Sequence, residues 1–346
     1  MENVEKGLDN KIIKGLQSLR FIAVLFVFYT HITSDHIIYA TCGVSFFVIL
    51  SGFLYGYKTV ENKKTLKETI SLVKSRILKF YPLYLITLIL CIPLETRIPS
   101  VRTVIQNLLL LQCYSTTHYF IFNGVSWFLS MMMTLSILTY PLKRVITKIR
   151  KSSILIGIFF ILVIANFIYC YCLNKMQVNL QYWLYVCQIV RILEYTCGMI
   201  IGYLIKKKSY NISKMTATIL EIFSIGIIIV ILMIPNIPQY IHRNFIWIIP
   251  MCLLISVVSI ERGVLSKILQ FKWLVYLGNI SFEFFMTHQI ILRYVEKYQI
   301  LAGMNFVLKF VVELIACILL AQIVSYYLKS VKIDIELKDK ATVVRG

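Results

Sequence analysis

A chain of 346 residues with 59% apolar and only 15% charged side chains, and a mean hydropathy of +0.78, departs from soluble domains, which run about half apolar and about a quarter charged. The composition excludes an ordinary water-soluble domain and reads as an all-α, multi-span membrane protein. A formal net charge of +20 would suit a nucleic-acid partner, but the charges are distributed by membrane side, which assigns them to topology instead.

Ten stretches have spanning or near-spanning length: residues 16–32, 39–57, 77–94, 125–142, 154–173, 183–205, 216–234, 244–260, 273–292 and 305–328. A shorter apolar run, 104–114, suits a re-entrant or interfacial piece. With ten spans, and with Arg20 and Lys79 near the ends of theirs counted with the adjoining segments, 28 of the 36 Lys and Arg residues fall on the N-terminal side of the membrane and 6 on the other, Arg191 and Lys309 lying deeper within spans. The positive-inside rule then places both termini in the cytoplasm, in a multi-pass protein of the plasma or inner membrane. The N-terminus lacks the features of a cleavable signal, because a polar decapeptide precedes the first apolar run and no small-residue cleavage site follows it. No internal repeat or soluble appendage is evident. The organisation expected is a cytoplasmic segment 1–13, one membrane domain 14–328 and a cytoplasmic tail 329–346. Eight of the nine cysteines lie within spans, and Cys170-x-Cys172 matches no zinc spacing. They read as small buried hydrophobes, and no metal is expected.

Ionisable groups inside spans are rare and are usually functional or paired. The first span carries Arg20 and His31. Eleven helical residues turn through about 1100°, roughly 20° past three full turns, so both side chains share one face about 16 Å apart along the axis. Arg20 falls in the inner third of the membrane and His31 near the outer surface. Arg191 and Glu194, spaced i,i+3 in the sixth span, can satisfy one another, yet even a pair is costly at that depth. Glu221 lies one turn into its span and can reach the cytoplasmic interface, while Glu283 has no evident role. His288 is fifteen residues into the ninth span, at a depth matching His31. An imidazole can be neutral at physiological pH and so can accept a proton there. Lys309 and Glu313 read as a helix-surface ion pair. His36, His118 and His242 fall in outer loops, where solvated roles suffice.

These residues belong to a longer pattern. Arg20-x10-His31 is followed by Gly43-Val44-Ser45-Phe46-Phe47-Val48-Ile49-Leu50-Ser51-Gly52-Phe53. Next come Arg76-Ile77-Leu78-Lys79-Phe80-Tyr81-Pro82, Ser126-Trp127-Phe128-Leu129 with Tyr140-Pro141-Leu142, and Arg191-Ile192-Leu193-Glu194-Tyr195 with Gly198 and Gly202. Leu277-Gly278-Asn279-Ile280-Ser281-Phe282, ending in His288, completes the set. In order and content the series resembles the acyltransferase 3 family of multi-span membrane O-acyltransferases, over about residues 14 to 328. It departs from the family where Lys79 replaces an arginine, and where Ser130-Met131-Met132-Met133 carries no acidic residue. With no fused SGNH-type hydrolase domain, the chain resembles the stand-alone members.

The resemblance implies an acyl-CoA co-substrate, most often acetyl-CoA, and a hydroxyl acceptor on a glycan or lipid-linked sugar. By that reading Arg20, Arg76 and Lys79 meet the donor phosphates at the cytoplasmic face, for which arginine's fixed fork of donors is suited. His31 is the general base or a transient acyl site, with His288 as a second catalytic candidate. Ser51, Ser126, Trp127, Arg191 and Glu194 are candidates for substrate or oxyanion contacts by residue type. Gly43 and Gly52 read as sites of close helix approach. Expected partners are membrane lipids and surface-polysaccharide assembly enzymes, with no nucleic acid. The rival reading is a transporter or flippase of polysaccharide or lipid-linked sugar, since intramembrane charges also suit a transport path.

Overall fold

The computed structural model describes residues 13–33, 37–58, 65–208, 210 and 212–345. The expected cytoplasmic segment 1–13 lies almost wholly outside the described residues, and so does His36. Among the described residues the chain is helical, with no strand. That is the expected consequence of apolar surroundings, where a helix satisfies its own backbone donors and acceptors.

The long helices are α1 (Lys14–Thr33), α2 (Ile37–Tyr57) and α3 (Thr65–Cys91), then, after a short α4 (Val101–Leu108), α5 (Trp127–Lys148) and α6 (Ser152–Lys175). A π-helical turn, Tyr182–Val186, leads into α7 (Gln188–Lys208), and α8 (Lys214–Met233) follows. The chain then breaks into α9 (Gln239–His242), α10 (Ile248–Ser259), α11 (Val264–Ile268), α12 (Lys272–Asn279) and α13 (Ser281–Lys297), before a final α14 (Phe306–Arg345). Eight of the described helices are long and apolar enough to cross a membrane by length and composition. Two of the ten expected spans take a different form. Residues 244–260 fold as a 3₁₀ turn and the twelve-residue α10. Residues 273–292 divide between α12 and α13 at Ile280. The break has local causes: Ser281 Oγ donates to the Gly278 carbonyl at 2.8 Å, and Gln17 Nε2 of α1 donates to the same carbonyl at 3.0 Å and to Asn279 Oδ1 at 2.9 Å. The apolar run 104–114 becomes α4 and a 3₁₀ turn, tied to α3 by Tyr84, whose hydroxyl donates to the Asn107 carbonyl at 2.6 Å.

The interior of the bundle is α2 and α7. Their most apolar windows are 67% and 72% buried, against 28% for α6 and α8 and 17% for α14, whose outward faces are apolar and suited to lipid. Glycines set the α2–α7 spacing. A Cβ on Gly52 or Gly56 would sit 2.0 Å from the carbonyl oxygens of Tyr195 or Met199, and one on Gly198 or Gly202 would sit 2.2 or 2.1 Å from those of Ile49 or Phe53. Two small-x-x-x-small faces therefore meet backbone to backbone, the means by which helices associate where apolar side chains gain nothing over lipid. Gly43 lets α2 approach α1 in the same way, since a Cβ there would sit 2.4 Å from the Ala23 carbonyl oxygen, and Gly278 lets α12 approach α1 at Gln17.

Other polar side chains have structural work. Glu221 of α8 has a partner across the chain. Its carboxylate caps α11, accepting from the backbone N–H of Leu265 at 2.9 Å and of Ser266 at 3.1 Å, and from the Ser266 hydroxyl. Lys309 and Glu313 form the expected i,i+4 pair at 4.0 Å on α14. Of the nine free cysteines, Cys172 is exposed and the other eight are buried.

Gly52→Ala or Gly198→Ala should drive α2 and α7 apart and cost on the order of 1–3 kcal/mol or more. Gly226→Ala on α8, where nothing lies within 4 Å of the added carbon, should be neutral or stabilising by about 0.5–1 kcal/mol. Thermal unfolding of the purified variants in detergent reads both outcomes.

Candidate functional site

α1 packs against α2, α12 and α13, and this contact decides what its two polar residues meet. Near the C-terminal end of α1, the His31 ring lies 5.3 Å from that of His288 on α13, centroid to centroid, at an interplanar angle of 44°. His288 is fully buried, stacked on Phe284 at 5.9 Å and edge-on to Phe28 at 6.2 Å. Its Nδ1 is 2.8 Å from the Phe285 carbonyl oxygen and 3.2 Å from that of Phe284. Carbonyl oxygens only accept, so Nδ1 carries the proton and Nε2 carries the lone pair. That Nε2 is buried and has no hydrogen-bond partner.

His31 opens on a cavity of about 300 Å³. Thr30 and His31 of α1, Ala40 and Val44 of α2, and Gln289 and Arg293 of α13 form one side; Glu95, Trp127 and Tyr185 form much of the other. At its rim Arg293 pairs with Glu95 at 3.0 Å and also donates to the carbonyls of Leu94 and Phe122, tying the end of α13 to the segment after α3. Gln289 Oε1 is buried without a partner, and Gly124 stands so close that a Cβ there would lie 2.8 Å from it. The cavity thus joins the His31 imidazole, backed by buried His288, with an aromatic wall and an ion pair. Such a site can bind a ligand with several hydroxyls and take a proton from one of them.

Tyr185 is held from behind. Its π-helical turn is fixed by Arg191 Nε, which donates to the Tyr185 carbonyl at 2.9 Å, with the guanidinium 5.3 Å from the Tyr185 ring. Arg191 Nη1 pairs with Glu194 Oε2 at 2.6 Å, both side chains wholly buried, and Ser45 of α2 donates to the other carboxylate oxygen at 2.7 Å. Arg191 and Glu194 therefore stand behind the cavity wall and are not among its lining residues. π-helical turns of this kind recur at functional sites because they re-aim one side chain from an otherwise regular helix.

The other sequence-derived candidates separate. Arg20 donates to Gln17 Oε1 at 3.2 Å and lies in the field of Glu283 on α13, which gives that glutamate a place the sequence left open. Arg76 of α3 is buried and spends three N–H groups inside the protein, on the Met132 carbonyl at 3.0 Å, Ser136 Oγ at 2.6 Å and Ser51 Oγ at 3.3 Å, beside the Tyr55 ring. Lys79 is exposed, its ammonium 5.3 Å from the Phe80 ring, which itself meets Phe282 at 4.5 Å. Ser51 therefore serves Arg76. Ser126 accepts from Gln112 Nε2 at 3.1 Å, and neither serine lines the cavity, whereas Trp127 does. Tyr185, Gln289, Glu95 and Arg293 escaped the sequence reading. The one available signal was that Gln289 and Arg293 follow His288 at the next position and at the fifth, so that Arg293 projects one turn beyond Gln289. His242, assigned to a solvated loop, is buried instead. No group of metal-ligating side chains occurs among the described residues.

A family model described as an acyltransferase domain matches residues 13–329. No curated protein and no solved structure matches the chain.

The Arg191–Glu194 pair makes a prediction that does not depend on the reaction. Glu194→Ala strands a buried guanidinium and should cost about 3–5 kcal/mol, whereas replacing both residues by methionine should recover most of the loss. Thermal unfolding of the two variants, read against the unaltered chain, separates these outcomes.

Proposed function

On the premise that the chain belongs to the acyltransferase 3 family, we propose that it moves an acyl group, acetyl in the first instance, from acyl-CoA to a hydroxyl of a cell-surface glycan or lipid-linked saccharide. The observation that carries this reading is the close pair of His31, in the wall of a cavity, and His288, packed behind it, in a multi-pass membrane protein of an acyltransferase family.

The acceptor hydroxyl enters the cavity and gives its proton to His31 as its oxygen attacks the thioester carbonyl. The tetrahedral intermediate collapses with cleavage of the carbon–sulfur bond, and the proton passes from the imidazole to the departing CoA thiolate. His288, its Nδ1–H fixed by the Phe285 carbonyl, packs beside His31 and orients that ring. Donor and acceptor approach from opposite ends. Arg20 lies about 16 Å from His31 along α1 and suits the phosphates of a cytoplasmic CoA, with the slender pantetheine arm reaching outward between helices. Lys79, exposed near Phe80, adds positive charge for the same phosphates. Arg76 shapes that end of the bundle, because its contacts to Ser51, Ser136 and Met132 fix α3 against α2 and α5. The cell membrane and a surface-polysaccharide assembly system are the setting this chemistry suits.

An acyl-transfer assay in membranes tests the assignment. His31→Ala should lower the rate by about 10²–10⁴-fold, the range for a lost general base. Arg20→Ala should raise the apparent KM for acyl-CoA by about tenfold, with Arg20→Lys recovering part of it. Full activity in the His31 variant overturns its role, and an unchanged KM in the Arg20 variant overturns the phosphate contact. A chain that moved glycan without consuming acyl-CoA would be the transporter instead.

A further inference from the structure

The cavity beside His31 holds a polar side chain to which the mechanism above gives no part. Gln289 follows His288 on α13, and one residue of helix turns a side chain by about 100°. That turn leaves His288 buried against Phe284 and Phe28 and sets Gln289 in the cavity wall. Its carboxamide makes no hydrogen bond among the described residues. Oε1 is buried without a partner, whereas Nε2 retains accessible surface with both hydrogens unspent. Gly124 makes room for this group. It opens the 3₁₀ turn before Trp127, and a Cβ there would lie 2.8 Å from Gln289 Oε1, 3.0 Å from Nε2 and 3.3 Å from Cδ. The carboxamide therefore rests directly on the glycine.

Attack on a thioester needs more than a base. As the acceptor oxygen bonds to the carbonyl carbon, an electron pair moves onto the carbonyl oxygen, and donors fixed in advance stabilise that charge. The polar residues that α1 and α13 present to the cavity are Thr30, His31, Gln289 and Arg293. The Thr30 hydroxyl donates to the Phe26 carbonyl at 3.2 Å. Arg293 is spent on Glu95 and on the carbonyls of Leu94 and Phe122. With His31 as the base, the uncommitted donor on this side is Gln289 Nε2.

We propose that Gln289 is the oxyanion donor of the acyl transfer. Its Nε2–H meets the thioester carbonyl oxygen while His31 takes the acceptor's proton, and Gly124 seats the carboxamide for that contact. The electron pair then returns to carbon as the carbon–sulfur bond breaks, and the CoA thiolate leaves with the proton from His31. Full negative charge reaches the carbonyl oxygen only after attack, so the contact is strongest in the transition state and acts on kcat more than on KM. This role rests on the acyltransferase reading for its reaction, and the seating of Gln289 on Gly124 does not.

The test uses membranes holding the full chain and its endogenous acceptor, with acetyl-CoA as the varied substrate and release of free thiol as the readout. Gln289→Glu, equal in size but without an N–H, should lower kcat by about 10²–10³-fold with the KM for acetyl-CoA nearly unchanged. Gly124→Ala presses on the end of a flexible side chain and not on backbone. It should lower kcat beside the native Gln289 and add little in a Gln289→Ala chain, the non-additivity expected of action through one side chain. Thermal unfolding in detergent should show Gln289→Ala holding or raising the Tm, because it removes a buried acceptor that has no partner. Full kcat in Gln289→Glu, a raised KM with kcat intact, additive effects of the Gly124 and Gln289 changes, or a rate loss in Gln289→Ala matched by a lower Tm overturns the role. Transfer that survives Gln289→Glu but not His31→Ala removes the oxyanion donor and keeps the acyltransferase reading. No transfer in the unaltered chain overturns both.

Discussion

The contact between α2 and α7 is the constraint on which the rest of the molecule depends. In a bilayer, leucine against leucine gains nothing over leucine against lipid, so helix association requires either close backbone packing or polar bonds. This pair uses both. Gly52, Gly56, Gly198 and Gly202 admit the facing carbonyls to a separation that no side chain tolerates. Ser45 can then reach Glu194 across the interface, which only a short spacing allows a serine to do. The ion pair thus fixed holds Arg191, Arg191 holds the carbonyl of Tyr185, and Tyr185 forms a wall of the cavity. A methyl group added at the glycines would therefore be felt at the cavity wall through four successive contacts. Gly43 and Gly278 extend the same logic to α1, which carries His31 and Arg20 into register with α13.

What could be read from the sequence followed from periodicity and depth. Arg20 and His31 share a face because eleven residues nearly close three turns, and both do meet α13, His31 at the ring of His288 and Arg20 in the field of Glu283. His31 and His288 were paired by depth alone, which works because two helices running the same way put equal depths side by side. Glu283 could not be paired in this way, since its relation to Arg20 spans 263 positions and depends on the break at Ile280. That break is itself illegible in an apolar count. It arises because the Gly278 carbonyl turns aside to Gln17 and Ser281 rather than continuing a helical ladder. The cavity walls were illegible for a related reason. Trp127 and Tyr185 are ordinary aromatic residues in apolar stretches, and only the π-helical turn and the 3₁₀ turn before α5 aim them at one volume. Ser51 and Ser126 have Arg76 and Gln112 as partners, contacts that residue type alone does not foretell.

The arginines of the bundle sort by what neutralises them, and the sorting divides structure from function. Arg191 meets Glu194 and Arg293 meets Glu95, and each also donates to carbonyl oxygens, although Arg191 Nη2 is buried without a partner. Arg20 lies in the field of Glu283. Arg76 has no acid beside it among the described ion pairs, yet a carbonyl, two hydroxyls and the face of Tyr55 solvate its charge. In each of these cases the protein itself offsets the cost of placing a cation among apolar helices. Arg243 breaks the pattern, with one long bond to a neutral amide.

Selecting an acceptor is a separate problem from the proposed proton transfer, because an imidazole acting as a base would take a proton from any hydroxyl that reaches it and would discriminate little. Selection has to come from contacts that are costly when unfilled, since a site left with idle polar atoms rejects the wrong ligand far more strongly than one with a loose apolar fit. At the His31–His288 end, Gln289 Oε1 at the cavity and His288 Nε2 beside His31 are two such atoms. On the proposed reading, proton transfer belongs to α1 and α13, held in place by the glycine-bound helices, and discrimination among acceptors belongs to the cavity contacts that are costly when unfilled.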